Sequence, residues 1–183
     1  MTFLVHPVLK AGVVTENDLM AELSAVPETC WIFSAHANEA GAVMWLPLTK
    51  ISETGIWLGL DRKGVWTLGR LDGVVESSAE GLPSSWVTIL DADESSLRAG
   101  LASAAERFKL SPDGLESLVP VDDVLAMAIR SRSSHWAERA VCWMSERAIP
   151  GDQLVLLRGL STADWANQRT RHTARRLVKG VEQ

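Results

Sequence analysis

The chain has no tyrosine, only two cysteines in 183 residues, and no apolar run long enough to cross a bilayer. Each absence closes a class. Cys30 and Cys142 lie far apart, and neither belongs to a Cys-x-x-Cys pair. A disulfide framework and a thiolate metal knuckle are therefore not indicated. The expectation is two free thiols in a reducing, cytoplasmic setting, with one long-range disulfide as the alternative. The longest uncharged apolar stretch, AGAVMWLPLT at 40–49, falls well short of the ~20 residues of a spanning helix, so no membrane partner is expected. The opening MTFLVHPVLKAGVV has no basic residue ahead of its apolar ones, and His6 and Pro7 interrupt it, which argues against a secretory signal.

Catalytic and cofactor signatures are missing as well. There is no Gly-x-Gly-x-x-Gly, no phosphate-cradling Gly-x-x-x-x-Gly-Lys-Ser/Thr and no Gly-x-Ser-x-Gly. The glycines at 55, 59, 64, 69 and 73 fall within or beside strand-like segments and do not open a helix, so they form no phosphate site. His6, His36, His135 and His172 include no pair spaced i, i+4, the spacing that puts two imidazoles on one metal. Asp91-Ala92-Asp93-Glu94 resembles the start of a calcium loop. Ser95, Ser96 and Ala102 then occupy the places of the third oxygen ligand, the glycine and the closing glutamate, and helix capping is the better account. His135 and Cys142 share a helix face. Seven residues separate them by about 10 Å, too far for a nucleophile–base hydrogen bond. No cofactor and no metal are expected. Catalysis is left to a site assembled from distant residues, for which no motif speaks.

What is present is a globular composition. Apolar residues make up 46% and charged residues 22%, enough to bury one core. Eight tryptophans are the notable excess, and several should anchor that core. The net charge of −5 is unevenly spread. Residues 151–183 hold six cationic and three acidic side chains, a local charge of +3 that leaves −8 on the remainder. An acidic body with a basic end speaks against a general polyanion binder.

Along the chain, Thr15 and Asp18 form a capping-box variant ahead of Leu19, Met20 and Leu23, and Pro27 closes that short helix. Residues 30–35 and 43–46 alternate with period two and read as strands, joined by a hairpin loop at 37–41. Gly55-Ile56-Trp57 and Gly64-Val65-Trp66 flank the turn Asp61-Arg62-Lys63-Gly64. Closing it tightly pairs Leu60 with Val65 and Gly59 with Trp66, so that Trp57, Trp66 and Leu68 share one face. That face is either a core-facing cluster or an aromatic platform for a ligand. Residues 74–84 read as a loop and Ser85–Leu90 as a last strand.

From Asp91 the period becomes helical. Leu97, Leu101, Ala104, Ala105 and Phe108 make one stripe, capped by Asp91 or Asp93. Ser111-Pro112-Asp113-Gly114 breaks it. A further helix begins at Asp122 or Asp123, another is capped by Ser133 or Ser134, and Pro150-Gly151 stops that one. Leu154, Leu157 and Leu160 mark a short helix, and Ser161-x-x-Asp164 a capping box for the last. The stretches Trp136-Ala137-Glu138-Arg139 and Trp165-Ala166-Asn167-Gln168-Arg169 are weakly alike, and the helix pairs they lie in resemble the two-helix units of HEAT-like α-solenoids. The expected fold is therefore α+β: an N-terminal antiparallel β-meander of four or five strands with a short helix, then a C-terminal helical bundle with HEAT-like helix pairs. One domain is expected over 1–183, with a mainly β lobe at 1–92 and a helical lobe at 93–183.

On the last helix, Ala163, Ala166, Thr170, Ala174, Leu177 and Val181 form a small-residue side that suits close docking. Trp165, Arg169, His172, Arg176 and Lys179 form the other side, with Arg171 and Arg175 flanking. Tryptophan and arginine are enriched where partners bind, and Trp165 could stack under Arg169. These five residues are the expected partner-binding site, for a protein with an acidic surface. Nucleic acid is the alternative, since arginines beside an aromatic clamp phosphate and stack bases. A small, acidic, α+β, motif-free chain is similar in general character to the immunity proteins of polymorphic toxin systems, and a non-catalytic interaction protein is what that similarity implies.

Overall fold

The computed structural model describes residues 16–37, 41–79 and 81–183. The Thr15 cap, His6, Pro7 and the middle of the 37–41 loop lie outside them. The fold is α+β, with five strands followed by a helical lobe. Helix α1 (Glu16–Ser24) precedes β1 (Ile32–His36), β2 (Ala42–Lys50), β3 (Ile56–Asp61), β4 (Trp66–Arg70) and β5 (Val74–Ser77). Sequential strands pair antiparallel, as in the expected meander, but the meander does not stay open. Residues 35 and 36 pair in parallel with 74 and 75, and β5 thereby closes on β1 to form a five-stranded barrel. Closure removes both sheet edges.

Two expectations change with β5. The segment starting at Val74 is a strand, not the start of a loop, and Ser84–Asp91 is a 3₁₀ helix, not a strand. The reason for the second lies in the period. Trp86, Val87, Ile89 and Leu90 are buried while Ser85, Thr88 and Asp91 stay partly or fully exposed, so every third residue faces out, as three residues per turn demand.

The β3–β4 register is also one residue away from expectation. Leu60 lies opposite Trp66, Gly59 opposite Thr67 and Trp57 opposite Gly69. Asp61 Oδ1 accepts the N–H groups of Lys63 and Val65, and Gly64 adopts φ +75°. A left-handed glycine closing a three-residue loop inserts one bulged residue. The slip changes faces. Trp66 and Leu68 point out of the barrel, whereas Trp57 lies on the inner side.

The barrel interior is built around Trp45. Its side chain is fully buried, and its indole N–H donates to Ser34 Oγ at 3.0 Å. Gly59 makes room for it: a Cβ there would stand 2.2 Å from the Leu46 carbonyl oxygen and 2.8 Å from the Trp45 ring. The outer face carries Leu46, Leu58, Leu60, Trp66 and Leu68, which join one hydrophobic cluster with the helices. Burial of each such leucine contributes roughly 2 kcal/mol. Five of the eight tryptophans, 31, 45, 66, 86 and 143, are buried, and both cysteines are free thiols.

The helices are α2 (Glu94–Phe108), α3 (Pro112–Leu118), α4 (Val121–Arg130), α5 (Ser134–Met144), α6 (Gly151–Leu160) and α7 (Gln168–Val181). Asp93 caps α2 and Ser133 caps α5, both within the expected alternatives. Ser111 ends nothing by itself: it caps α3, with Pro112 in the first turn. Helix α4 begins one residue before Asp122, and α5 has ended at Met144, before Pro150, which instead caps α6. The pairs α4–α5 and α6–α7 stack with α4 on α6 and α5 on α7.

Gly59→Ala is expected to cost about 1–3 kcal/mol through overpacking against the Leu46 carbonyl and the Trp45 ring, read as a lower urea midpoint at unchanged slope. Asp93 generates a pH prediction. Hydrogen bonds from the Ser95 hydroxyl, the Ser96 N–H and the Ser96 hydroxyl hold its carboxyl at about 2, below the usual 3.8. The folded protein thus binds fewer protons than the unfolded chain in that interval. The stabilisation is complete above pH ~4 and disappears as pH falls through about 2. Asp93→Asn keeps a capping oxygen and loses the charge, so thermal midpoints measured between pH 4 and 2 should fall less steeply than in the parent.

Candidate interaction site

The last helix starts later than its sequence suggests. Asn167, not Ser161, is the N-cap: its Oδ1 accepts the Thr170 N–H at 2.8 Å. Its amide also donates to Ser134 Oγ and Glu138 Oε2, at 3.3 and 3.2 Å. One side chain thereby caps α7 and ties it to α5, a combination open to Asn and not to Ser161. Residues 161–167 form turns, with Ala166 buried and the Ala163 carbonyl accepting from Arg171 at 3.4 Å.

From that start, α7 lies on Thr170, Ala174, Leu177 and Val178, while Val181 at its end is exposed. Arg169, His172, Arg175, Arg176 and Lys179 are exposed. Four of the five expected site residues, Arg169, His172, Arg176 and Lys179, therefore share the outer side of one helix. Trp165 does not join them. It precedes α7 and is half-buried against the core. The tryptophan–arginine stack present in the structure is a different one, with the Arg62 guanidinium 4.6 Å from the Trp31 ring centre, where Arg62 also pairs with Glu28.

The charges on α7 are little compensated. Arg169 approaches Glu138 at 3.7 Å but stays 86% exposed, a pair worth about 0–1 kcal/mol. Arg175, Arg176 and Lys179 make no ion pair among the described residues. Between α5 and α7 runs a groove of about 470 Å³ into which Arg139, Arg169, Arg176 and His135 project, with Glu138 as its acid. His135 and Cys142 both line it, and no hydrogen bond joins them among the described residues. Its floor holds Thr170, 1% exposed, whose Oγ1 has no hydrogen-bond partner among the described residues. The sequence placed Thr170 on the docking side of the last helix and assigned Arg139 no place in the site. Arg139 lies on α5, and its meeting with α7 depends on the stacking of two helix pairs.

The acidic stretch at 91–94 is dispersed. Asp93 caps α2, Asp91 lies 3.8 Å from His135, and Glu94 is buried beside Arg98. Among the described residues no three His, Cys, Asp or Glu side chains come together to hold a metal ion, and no helix is long and apolar enough to cross a membrane. Comparison with protein-family models, curated proteins and solved structures found no match to this chain.

Thr170→Val replaces an unpaired buried hydroxyl by a methyl group of the same shape. The free protein should gain about 1 kcal/mol of stability, seen as a raised urea midpoint. A loss would mean that the hydroxyl is hydrogen-bonded in solution.

Proposed function

We propose that the protein is a non-catalytic interaction protein whose α5–α7 groove receives an acidic segment of a protein partner. The observation that carries this reading is the convergence of Arg139, Arg169 and Arg176 on one groove with Glu138 as its acid, above an unpartnered Thr170 hydroxyl. Guanidinium forks grip carboxylates in two-pronged fashion. A rigid helix pair holds these groups in place before a partner arrives, which lowers the ordering cost of binding. A cytoplasmic immunity-type or accessory role is the narrower form of the proposal, supported by the acidic body and by the absence of a recognised catalytic motif in the sequence.

One observation favours nucleic acid as a second reading. His172, Arg175, Arg176 and Lys179 line a cleft of about 530 Å³ at the far end of α7, which suits a phosphate backbone. The −8 carried by residues 1–150 weighs more against a long polyanionic strand than against a short acidic segment held in the groove.

The two are separated by titrating the protein with a poly-glutamate peptide and with a single-stranded oligonucleotide. On the protein-partner reading the peptide binds, and the pair Arg139→Glu and Arg169→Glu weakens it about tenfold or more, while Arg175→Glu with Lys179→Glu has a smaller effect. Tighter oligonucleotide binding, falling steeply between about 50 and 200 mM salt, would replace this reading with the second.

A further inference from the structure

A second cavity lies on the other side of the helical lobe, where α2, α3, α4 and the end of α5 meet. Its volume is about 430 Å³, within the range of small-molecule sites of roughly 300–1,000 Å³. Two incomplete ion pairs meet there. Arg98 Nη2 donates to Glu94 Oε1 at 2.7 Å, and its Nε lies 2.9 Å from Glu116 Oε1. Arg147 gives Nη2 to Asp122 at 3.2 Å, whose Oδ1 also accepts from Gln153 at 2.8 Å. Each pair uses one of two available atoms. Glu94 Oε2 and Arg147 Nη1 are both buried and have no hydrogen-bond partner among the described residues. Glu94 itself is 8% exposed.

Buried charged groups are normally satisfied at every polar atom, because each orphan loses its water without replacement. Here the two orphans are opposite in character: a carboxylate oxygen that needs a donor and a guanidinium N–H that needs an acceptor. The apolar part of the cavity lining is Leu97, Leu101, Val119, Val121 and Trp143, and Asp113 borders the cavity beside the paired Glu116 and Asp122. The Trp143 N–H is already occupied by the Ala92 carbonyl at 3.0 Å, so the rest of its ring offers only apolar surface.

We propose that this cavity binds a small zwitterion, an α-amino acid with an apolar side chain. Its ammonium group meets Glu94, its carboxylate meets Arg147, and its side chain lies on the leucines and Trp143. The site is separate from the α5–α7 groove and does not depend on the role given to that groove. No covalent step is involved.

Isothermal titration of the full-length protein with L-leucine, L-isoleucine and L-phenylalanine tests this, with leucinamide and isocaproate as analogues that each lack one charge. At least one amino acid should bind one-to-one and about tenfold or more tighter than either analogue. Glu94→Gln and Arg147→Met should each weaken it by a similar factor. Ser117 is exposed at the cavity wall and outside both ion pairs. Ser117→Phe should obstruct the cavity and abolish binding with the fold intact by circular dichroism, so the test survives if either charge variant fails to fold. No binding of any of the three amino acids at millimolar concentration would overturn the proposal. So would equal binding of the single-charge analogues, or unchanged affinity in a folded Ser117→Phe protein.

Discussion

The fit of the Trp45 indole beside the bare backbone of Gly59 is the constraint on which the rest of the structure depends. A five-stranded barrel has little interior, and one indole fills much of it. The Ser34 hydroxyl satisfies the indole N–H, so the ring is buried without leaving a polar group stranded. Once Trp45 points inward, alternation along β2 and β3 sends Leu46, Leu58 and Leu60 outward, and the bulge at Gly64 sends Trp66 and Leu68 the same way. The barrel then has an apolar exterior that water would penalise, and the helices cover it. One hydrophobic cluster runs from β2 through α2 and α4 to α5 and α7.

The helical lobe uses small residues and caps to set its geometry. Ala137 and Ala140 on α5 are buried, as are Thr170 and Ala174 on α7, and such short side chains let helices approach closely. Asn167 then fixes where α7 starts and how it rotates about its axis. That rotation, more than the number of basic residues, determines which arginines meet α5 and which face solvent. A cap at Ser161 would have carried Trp165 onto the helix. With the cap at Asn167, it packs half-buried beneath the turn.

Much of the architecture was legible in the sequence because it is written in local periodicity. The change from period two to a helical period near residue 91, the caps at Asp93 and Ser133, and the small-residue face of α7 are of this kind. The errors arose where two signals were superimposed. Trp86-Val87-Thr88-Ile89-Leu90 is β-branched and aromatic enough to imitate a strand, although its polar residues recur every third position. The β3–β4 turn carries the glycine that makes a bulge, and an uncounted bulge moves every later side chain to the opposite face. The candidate sites were less legible. The outward cations of α7 followed from its amphipathic pattern, but Arg139 of α5 meets them only through helix stacking. Likewise, nothing local joins Glu94 to Arg147, which are separated by three helices.

The apolar exterior of the barrel also bears on how the chain is made. During synthesis α1 and the strands leave the ribosome before α2 to α7, the helices that shield most of the barrel's outer face. For that interval a nearly complete sheet carries leucines and a tryptophan on its outer surface with only α1 to cover them. Such a nascent intermediate is prone to self-association. Holdase chaperones, or a pace of translation that brings α2 out promptly, would therefore matter more to the yield of this protein than to that of a barrel with a polar coat.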